Sequence, residues 1–138
     1  MIVVPHAFLL DAEALTALVE ERKVIQPWLE VARRTDSTLH ISSLTLTEVT
    51  DGSARDASVR RVIKALRTVE VHDDIAFSAG QLRAMAAPSR RKKRDLTVDA
   101  VVAATALTLP GPVVVLTSDP ADLRALLDGT PVRVEKVG

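Results

Sequence analysis

Two kinds of apolar segment alternate along this chain: short continuous runs, and sets of apolar residues at helical spacing. Residues 2–10 form the first run, which Pro5 and His6 narrow to a strand at about 7–10. A helix follows from about residue 12, with Ala14, Leu15, Leu18 and Val19 on one face. Val24, Ile25, Trp28, Leu29 and Ala32 repeat that spacing in a second helix, where Pro27 is tolerable in the first turn. Thr38–Ile41 predicts a short strand, and Ser42 or Ser43 caps a short helix carrying Glu48. After the turn at Asp51-Gly52-Ser53, residues 54–67 predict a strongly basic helix with Val59, Val62, Ile63 and Leu66 inward. Val69–Val71 is a third strand, and 74–87 a helix with Ile75, Leu82 and Met85 on one side. Pro88, Ser89 and the cations that follow predict a loop. Residues 98–109 are an almost wholly apolar helix, expected at the centre, and 113–117 is the clearest buried parallel strand. A short helix near 120–127, a turn at Asp128–Pro131 and a last strand at 132–135 complete the pattern.

Strand and helix taking turns predict an α/β fold: a three-layer α/β/α sandwich with a central, mostly parallel sheet, in one domain spanning 1–138. In such sheets functional groups collect at the carboxyl ends of strands. Four carboxylates stand out against this frame. Asp11 ends the first strand and Asp119 follows the 113–117 strand. Asp99 opens the apolar helix, and Glu48 lies in Leu44–Val49, read as an inward face. Carboxylates are rarely buried unless paired or bound to metal. Four that converge repel one another unless a cation sits between them, and a hard divalent ion such as Mg²⁺ or Mn²⁺ suits oxygen donors. Simpler roles stay open for each alone: helix N-caps for Asp11, Asp99 and Asp119, and a solvated face for Glu48.

Composition narrows the chemistry. There is no Cys, which excludes disulfides, zinc–thiolate sites and thiol nucleophiles. The only aromatic residues are Phe8, Trp28 and Phe77, too few for base-stacking platforms. Eighteen basic and eighteen acidic residues cancel, so net charge announces no nucleic acid. Local charge does: Arg90, Arg91, Lys92, Lys93 and Arg94 are consecutive, just before the helix of Asp99. Arg55, Arg60, Arg61, Lys64 and Arg67 form a second basic set. The solvated-loop reading of the five-cation run stays open beside the phosphate-binding one. His6, His40 and His72 read as structural. No run has the roughly 18 apolar residues of a membrane span, and Asp11 and Glu13 interrupt any signal-peptide core. The expectation is a soluble, cytoplasmic domain without membrane partners.

Five fragments, in this order, resemble the PIN-domain ribonucleases, particularly VapC-type toxins of VapBC toxin–antitoxin pairs. They are Leu9–Ala12, Ser42–Val49, Phe77–Leu82, Thr97–Ala103 and Leu116–Leu123. The resemblance spans essentially the whole chain. It implies a metal-dependent endoribonuclease whose catalytic quartet falls on Asp11, Glu48, Asp99 and Asp119, with Asp11, Asp99 and Asp119 holding Mg²⁺ or Mn²⁺. Thr117 matches the family's accompanying hydroxyl and Asp122 its frequent extra acid, both as supporting residues behind the metal ligands. It further implies an RNA substrate, a cognate antitoxin and a homodimer, for which the helices at 12–20 and 25–32 with Trp28 are the candidate contact surfaces; the reading of Trp28 as ordinary core stays open beside this. Glu13 departs from the family, which often has a small or hydroxylated residue there; it either joins the acidic pocket or points outward, the favoured reading, where a first-turn carboxylate suits the helix dipole. Two neighbouring readings remain: a PIN-like RNA- or protein-binding module without cleavage, and a housekeeping ribonuclease of the same fold. A receiver domain lacks its Lys here, and a haloacid-dehalogenase phosphatase its Asp-x-Asp-x-Thr.

Overall fold

The computed structural model describes residues 4–86 and 95–138. Strands β1 (Ala7–Leu10), β2 (Thr38–Ser42), β3 (Arg67–Val69), β4 (Val113–Thr117) and β5 (Arg133–Lys136) form one sheet in the order β3-β2-β1-β4-β5. Every neighbouring pair is parallel. Helices α1 (Ala12–Val19), α2 (Gln26–Thr35), α3 (Ser43–Val49) and α4 (Asp56–Ile63) lie in the connections from β1 to β3. Helices α5 (Asp73–Ala86) and α6 (Thr97–Thr108) precede β4, and α7 (Pro120–Leu126) precedes β5.

Why the central strands read as unbroken apolar runs follows from their two covered faces. In β1 and β4, Ala7, Leu9, Val113 and Val115 pack with Ile75, Val102 and Leu123 of α5, α6 and α7. Their alternate residues Phe8, Leu10, Val114 and Leu116 pack with Leu15, Ala32 and Val59 of α1, α2 and α4. Helix α6 is buried continuously from Ala100 to Ala106, and its alanines let it lie close against sheet and neighbouring helix. The sandwich and the parallel sheet are as expected.

Two local expectations fail. The basic helix ends at Ile63 rather than 67, and β3 starts at Arg67, two residues before the expected strand. The reason is edge geometry. Arg67 and Thr68 are exposed on the outer strand, so β3 carries no apolar run, and only backbone pairing to His40–Ser42 marks it. Met85, expected inward, is 77% exposed, because the buried face of α5 runs through Ile75, Ala79, Leu82 and Ala86. Trp28, open between core and contact surface, is half-buried and meets Phe8 edge to face, with ring centroids 6.2 Å apart. It is a core residue. Among the described residues the most exposed large apolar side chains are Phe77 (75%) and Met85 on α5. No helix among the described residues is long and apolar enough to cross a membrane.

Leu9 and Met85 test this packing. Leu9→Ala, at a fully buried position on the central strand, should cost about 2–5 kcal/mol in urea unfolding. Met85→Ala should stay within about 0.5 kcal/mol of wild type.

Candidate active site

The chain builds β1, β2 and β3 outward on one side, then crosses back to place β4 on the other side of β1. That reversal makes the β1/β4 boundary the switch point where open α/β sheets form a crevice. Leu10 pairs with Leu116, so the residues that follow both strands emerge side by side. The Asp11 amide donates to the Leu116 carbonyl at 3.1 Å, extending the pairing by one residue. Above these strand ends lies a cleft of about 150 Å³.

Five carboxylates line it: Asp11, Glu13, Glu48, Asp99 and Asp119. All four expected acids are therefore brought together, and a fifth joins them. Asp11 is held most firmly. It is the N-cap of α1, its Oδ1 accepting from the Ala14 amide at 2.9 Å, and the Thr117 hydroxyl hydrogen-bonds the same carboxylate. Thr117, the last residue of β4, is 2% exposed, and its Oγ1 also accepts from the Asp119 amide at 3.1 Å. One hydroxyl thus links the carboxylate after β1 to the backbone after β4. Asp119 occupies the N-cap position of α7, but its side chain makes no capping bond. Asp99 is not a cap either: Asp95 takes that work, accepting from the Thr97 amide at 2.9 Å and the Thr97 hydroxyl at 2.6 Å. Asp99 stands in the first turn of α6 beside Val98 and Val102, which line the same wall.

Two expectations about the rim are corrected. Glu48 is exposed rather than inward, because α3 is a short helix and Glu48 sits one residue before its end. It reaches the cleft from the mouth. Glu13 does not simply point outward: it is exposed yet lines the cleft, since the first turn of α1 begins at Asp11. Asp122, expected behind the ligands, is half-buried in the first turn of α7 and does not line the cleft. Val98, Val102 and Ser118 are lining residues that a sequence reading passes over. The two valines do carry a signal, since they flank Asp99 at helical spacing. The run Arg90–Arg94 lies outside the described residues. In the second basic set, Arg55 is tied to Glu20 at 3.2 Å and to the Val49 carbonyl at 3.4 Å. His40 is buried with Nε2 against the Thr38 hydroxyl at 2.6 Å, and no histidine lines the cleft.

Among the described residues, no cation lines the cleft to balance these acids. Burial pushes the Asp11 carboxyl above its ordinary value and Glu13 adds to this, while hydrogen bonds from Thr117 and the Ala14 amide pull it back. The Glu48 carboxyl is raised by burial and then by the charges of Asp99, Asp11 and Glu13. The donor set is all carboxylate and hydroxyl oxygen, which fits a hard divalent ion. Among the described residues no three His, Asp or Glu side chains stand close enough to grip one ion as they are placed.

The PIN-domain family model matches residues 8–125, which takes in the whole cleft. The chain belongs to the PIN-domain family. PIN domains are nucleases, and they generally use divalent metals. No curated protein matches the sequence. Among solved structures, VapBC from Salmonella typhimurium bound to DNA is similar at 21% identity and TM-score 0.65, covering 96% of this chain and 99% of that one. VapBC2 from Rickettsia felis, bound to a fragment of its promoter DNA, is similar at 12% identity and TM-score 0.66, covering 94% and 98%. VapBC-1 from nontypeable Haemophilus influenzae is similar at 15% identity and TM-score 0.66, covering 94% and 97%. These likenesses describe the PIN fold.

The raised Asp11 and Glu48 carboxyls set a pH dependence in the metal-free protein. The folded state holds these protons more tightly than the unfolded chain, so their contribution to stability is full below the ordinary carboxyl range. It is lost as pH rises through the raised values. Asp11→Asn keeps an acceptor for the Ala14 amide and removes the charge. In thermal melts without metal it should raise Tm by a few degrees at about pH 7, with the gain vanishing below about pH 4.

Proposed function

We propose that this PIN domain is a divalent-metal-dependent endoribonuclease, the toxin of a type II toxin–antitoxin pair. The observation that carries the reading is the cleft at the β1/β4 switch point, where Asp11, Glu48, Asp99 and Asp119 meet with Thr117 behind them. Asp11, Asp99 and Asp119 would hold Mg²⁺ or Mn²⁺. What such an ion supplies when bound is neutralisation of charge building on the phosphoryl oxygens and the acidification of water.

The chain's own residues do the rest. Thr117 and the Ala14 amide fix the Asp11 carboxylate in one orientation, which sets where the phosphate must lie. Glu48, exposed at the mouth, takes a hydrogen bond from the attacking water and carries its proton away. Buried Val102, with Val98 exposed at its edge, gives the cleft one apolar wall. An acidic pocket repels phosphates, so the RNA must be held from outside it. Arg90, Arg91, Lys92, Lys93 and Arg94, which immediately precede the helix of Asp99, are the substrate-binding cations of this reading. Asp122, one turn along α7 from Asp119, would steady that helix start.

The partner is a cognate antitoxin covering the cleft. This is supported by the similarity to toxin–antitoxin complexes on DNA, and a cytoplasmic location goes with it. A homodimer belongs to the same reading. Phe77 and Met85 on α5, with Gly80 and Ala84 between them, offer an apolar surface suited to a second copy.

The deciding experiment is cleavage of single-stranded RNA by the purified chain freed of its antitoxin. Cleavage should require Mg²⁺ or Mn²⁺ and stop in excess EDTA, and Asp99→Asn should lower it by at least about a thousandfold, the scale of losing a main electrostatic element. Full activity in EDTA or in that variant rules out the metal reading. Metal binding with no cleavage of any RNA points to a binding module.

The substrate-binding cations have their own expected signature. Neutralising Arg90, Arg91, Lys92, Lys93 and Arg94 together should raise KM and flatten the salt dependence of RNA binding, because fewer counterions are released. The turnover number at saturating RNA should change little. A large loss of turnover with an unchanged salt slope means the run shapes the catalytic pocket instead.

A further inference from the structure

We propose that Glu13 is a fourth cation-holding carboxylate of the cleft, beside Asp11, Asp99 and Asp119, tightening the grip of this chain on its divalent ion. The inference rests on the divalent-ion reading above and adds a residue to it. Glu13 lines the cleft next to Asp11, and its charge acts on both Asp11 and Glu48. Among the described residues, no ion pair or side-chain hydrogen bond occupies the Glu13 carboxylate. Nearby acids do find partners: Glu20 pairs with Arg22 and Arg55, and Glu30 with Arg33.

A first-turn Glu also interacts with the helix dipole, a contribution of about 0.3–1 kcal/mol at an exposed site. That explanation is weak at this position. The N-terminus of α1 already has Asp11 as its cap, with the carboxylate bonded to the Ala14 amide. A second acid two residues on adds repulsion in a cleft that Asp11, Glu48, Asp99 and Asp119 already line. Among the described residues, no cation lines the cleft to offset it. A fifth negative charge is favourable there only when a cation arrives. Its exposed side chain has the freedom to swing toward that cation, which Asp11, held by two hydrogen bonds, lacks.

Mn²⁺ titration of the whole protein without RNA, followed by the loss of the free-ion electron paramagnetic resonance signal, tests this independently of activity. Glu13→Gln should weaken Mn²⁺ binding by about tenfold or more. Its metal-free Tm should equal or exceed that of wild type, since repulsion is relieved. Glu21→Gln, which removes an equal charge beyond the far end of α1, should bind Mn²⁺ like wild type. Unchanged affinity in Glu13→Gln overturns the proposal, and a lowered metal-free Tm alongside it assigns Glu13 to the helix dipole. Equal losses in both variants overturn it too, reducing the effect to net charge. A wild-type protein that takes up no Mn²⁺ fails the divalent-ion reading itself, a different result from a wild type that binds and a variant that binds equally well.

Discussion

Repulsion among carboxylates is the constraint on which this structure turns. Five acids face one small cleft, and none of the described residues lining it is cationic. The arrangement is tolerable because the acids are anchored by elements whose stability comes from elsewhere. Asp11 follows a strand whose four residues are all fully buried, and Asp99 opens a helix buried from Ala100 to Ala106. Apolar burial of this extent, at about 25 cal/mol per Å², outweighs the strain of gathering like charges. The sheet thus forces together groups that would separate if they were free.

The topology explains why these residues and no others meet. Reversal of strand order at β1/β4 leaves a crevice at one end of the sheet, and both strands stop at its edge. Asp11 is simultaneously the end of a strand and the cap of a helix, so its carboxylate has one allowed direction. Thr117 closes the geometry from the other side. Capping and ion binding are compatible here, because one carboxylate oxygen serves the Ala14 amide and the carboxylate still borders the cleft. Asp99 illustrates the complementary solution: Asp95, just before the helix, accepts from the Thr97 amide, and Asp99 lines the cleft.

What could be read from the chain itself follows the same physics. The central strands and α6 were legible because burial on both faces demands unbroken apolar runs, which appear in Ala7–Leu10, Val113–Leu116 and Ala100–Ala104. The four acids were legible because each sits where such a run ends or in the fragments that resemble PIN domains. β3 was misplaced because an exposed edge strand is specified by backbone pairing alone, which leaves no side-chain pattern. Trp28 stayed open between core and surface because bulk and aromaticity do not reveal whether a neighbour such as Phe8 waits inside. The place of Glu13 stayed open for a related reason. Helical phase says which face a residue occupies, but the first turn of a helix that starts at the cleft has no face turned fully away from it.

The cleft divides into a fixed part and an adaptable part, and the division bears on how it would work. Asp11 and Thr117 are locked by hydrogen bonds and burial, giving one wall a defined geometry before anything binds. Glu13 and Glu48 are longer side chains at exposed positions, each raising or feeling the charges of the others. A site of only fixed acids would carry its full repulsion at all times. A site of only flexible ones would lose affinity to the entropy of ordering them. Anchored Asp11 and the longer, movable side chains of Glu13 and Glu48 divide these costs: one side of the cleft is set in advance and the other is free to adjust.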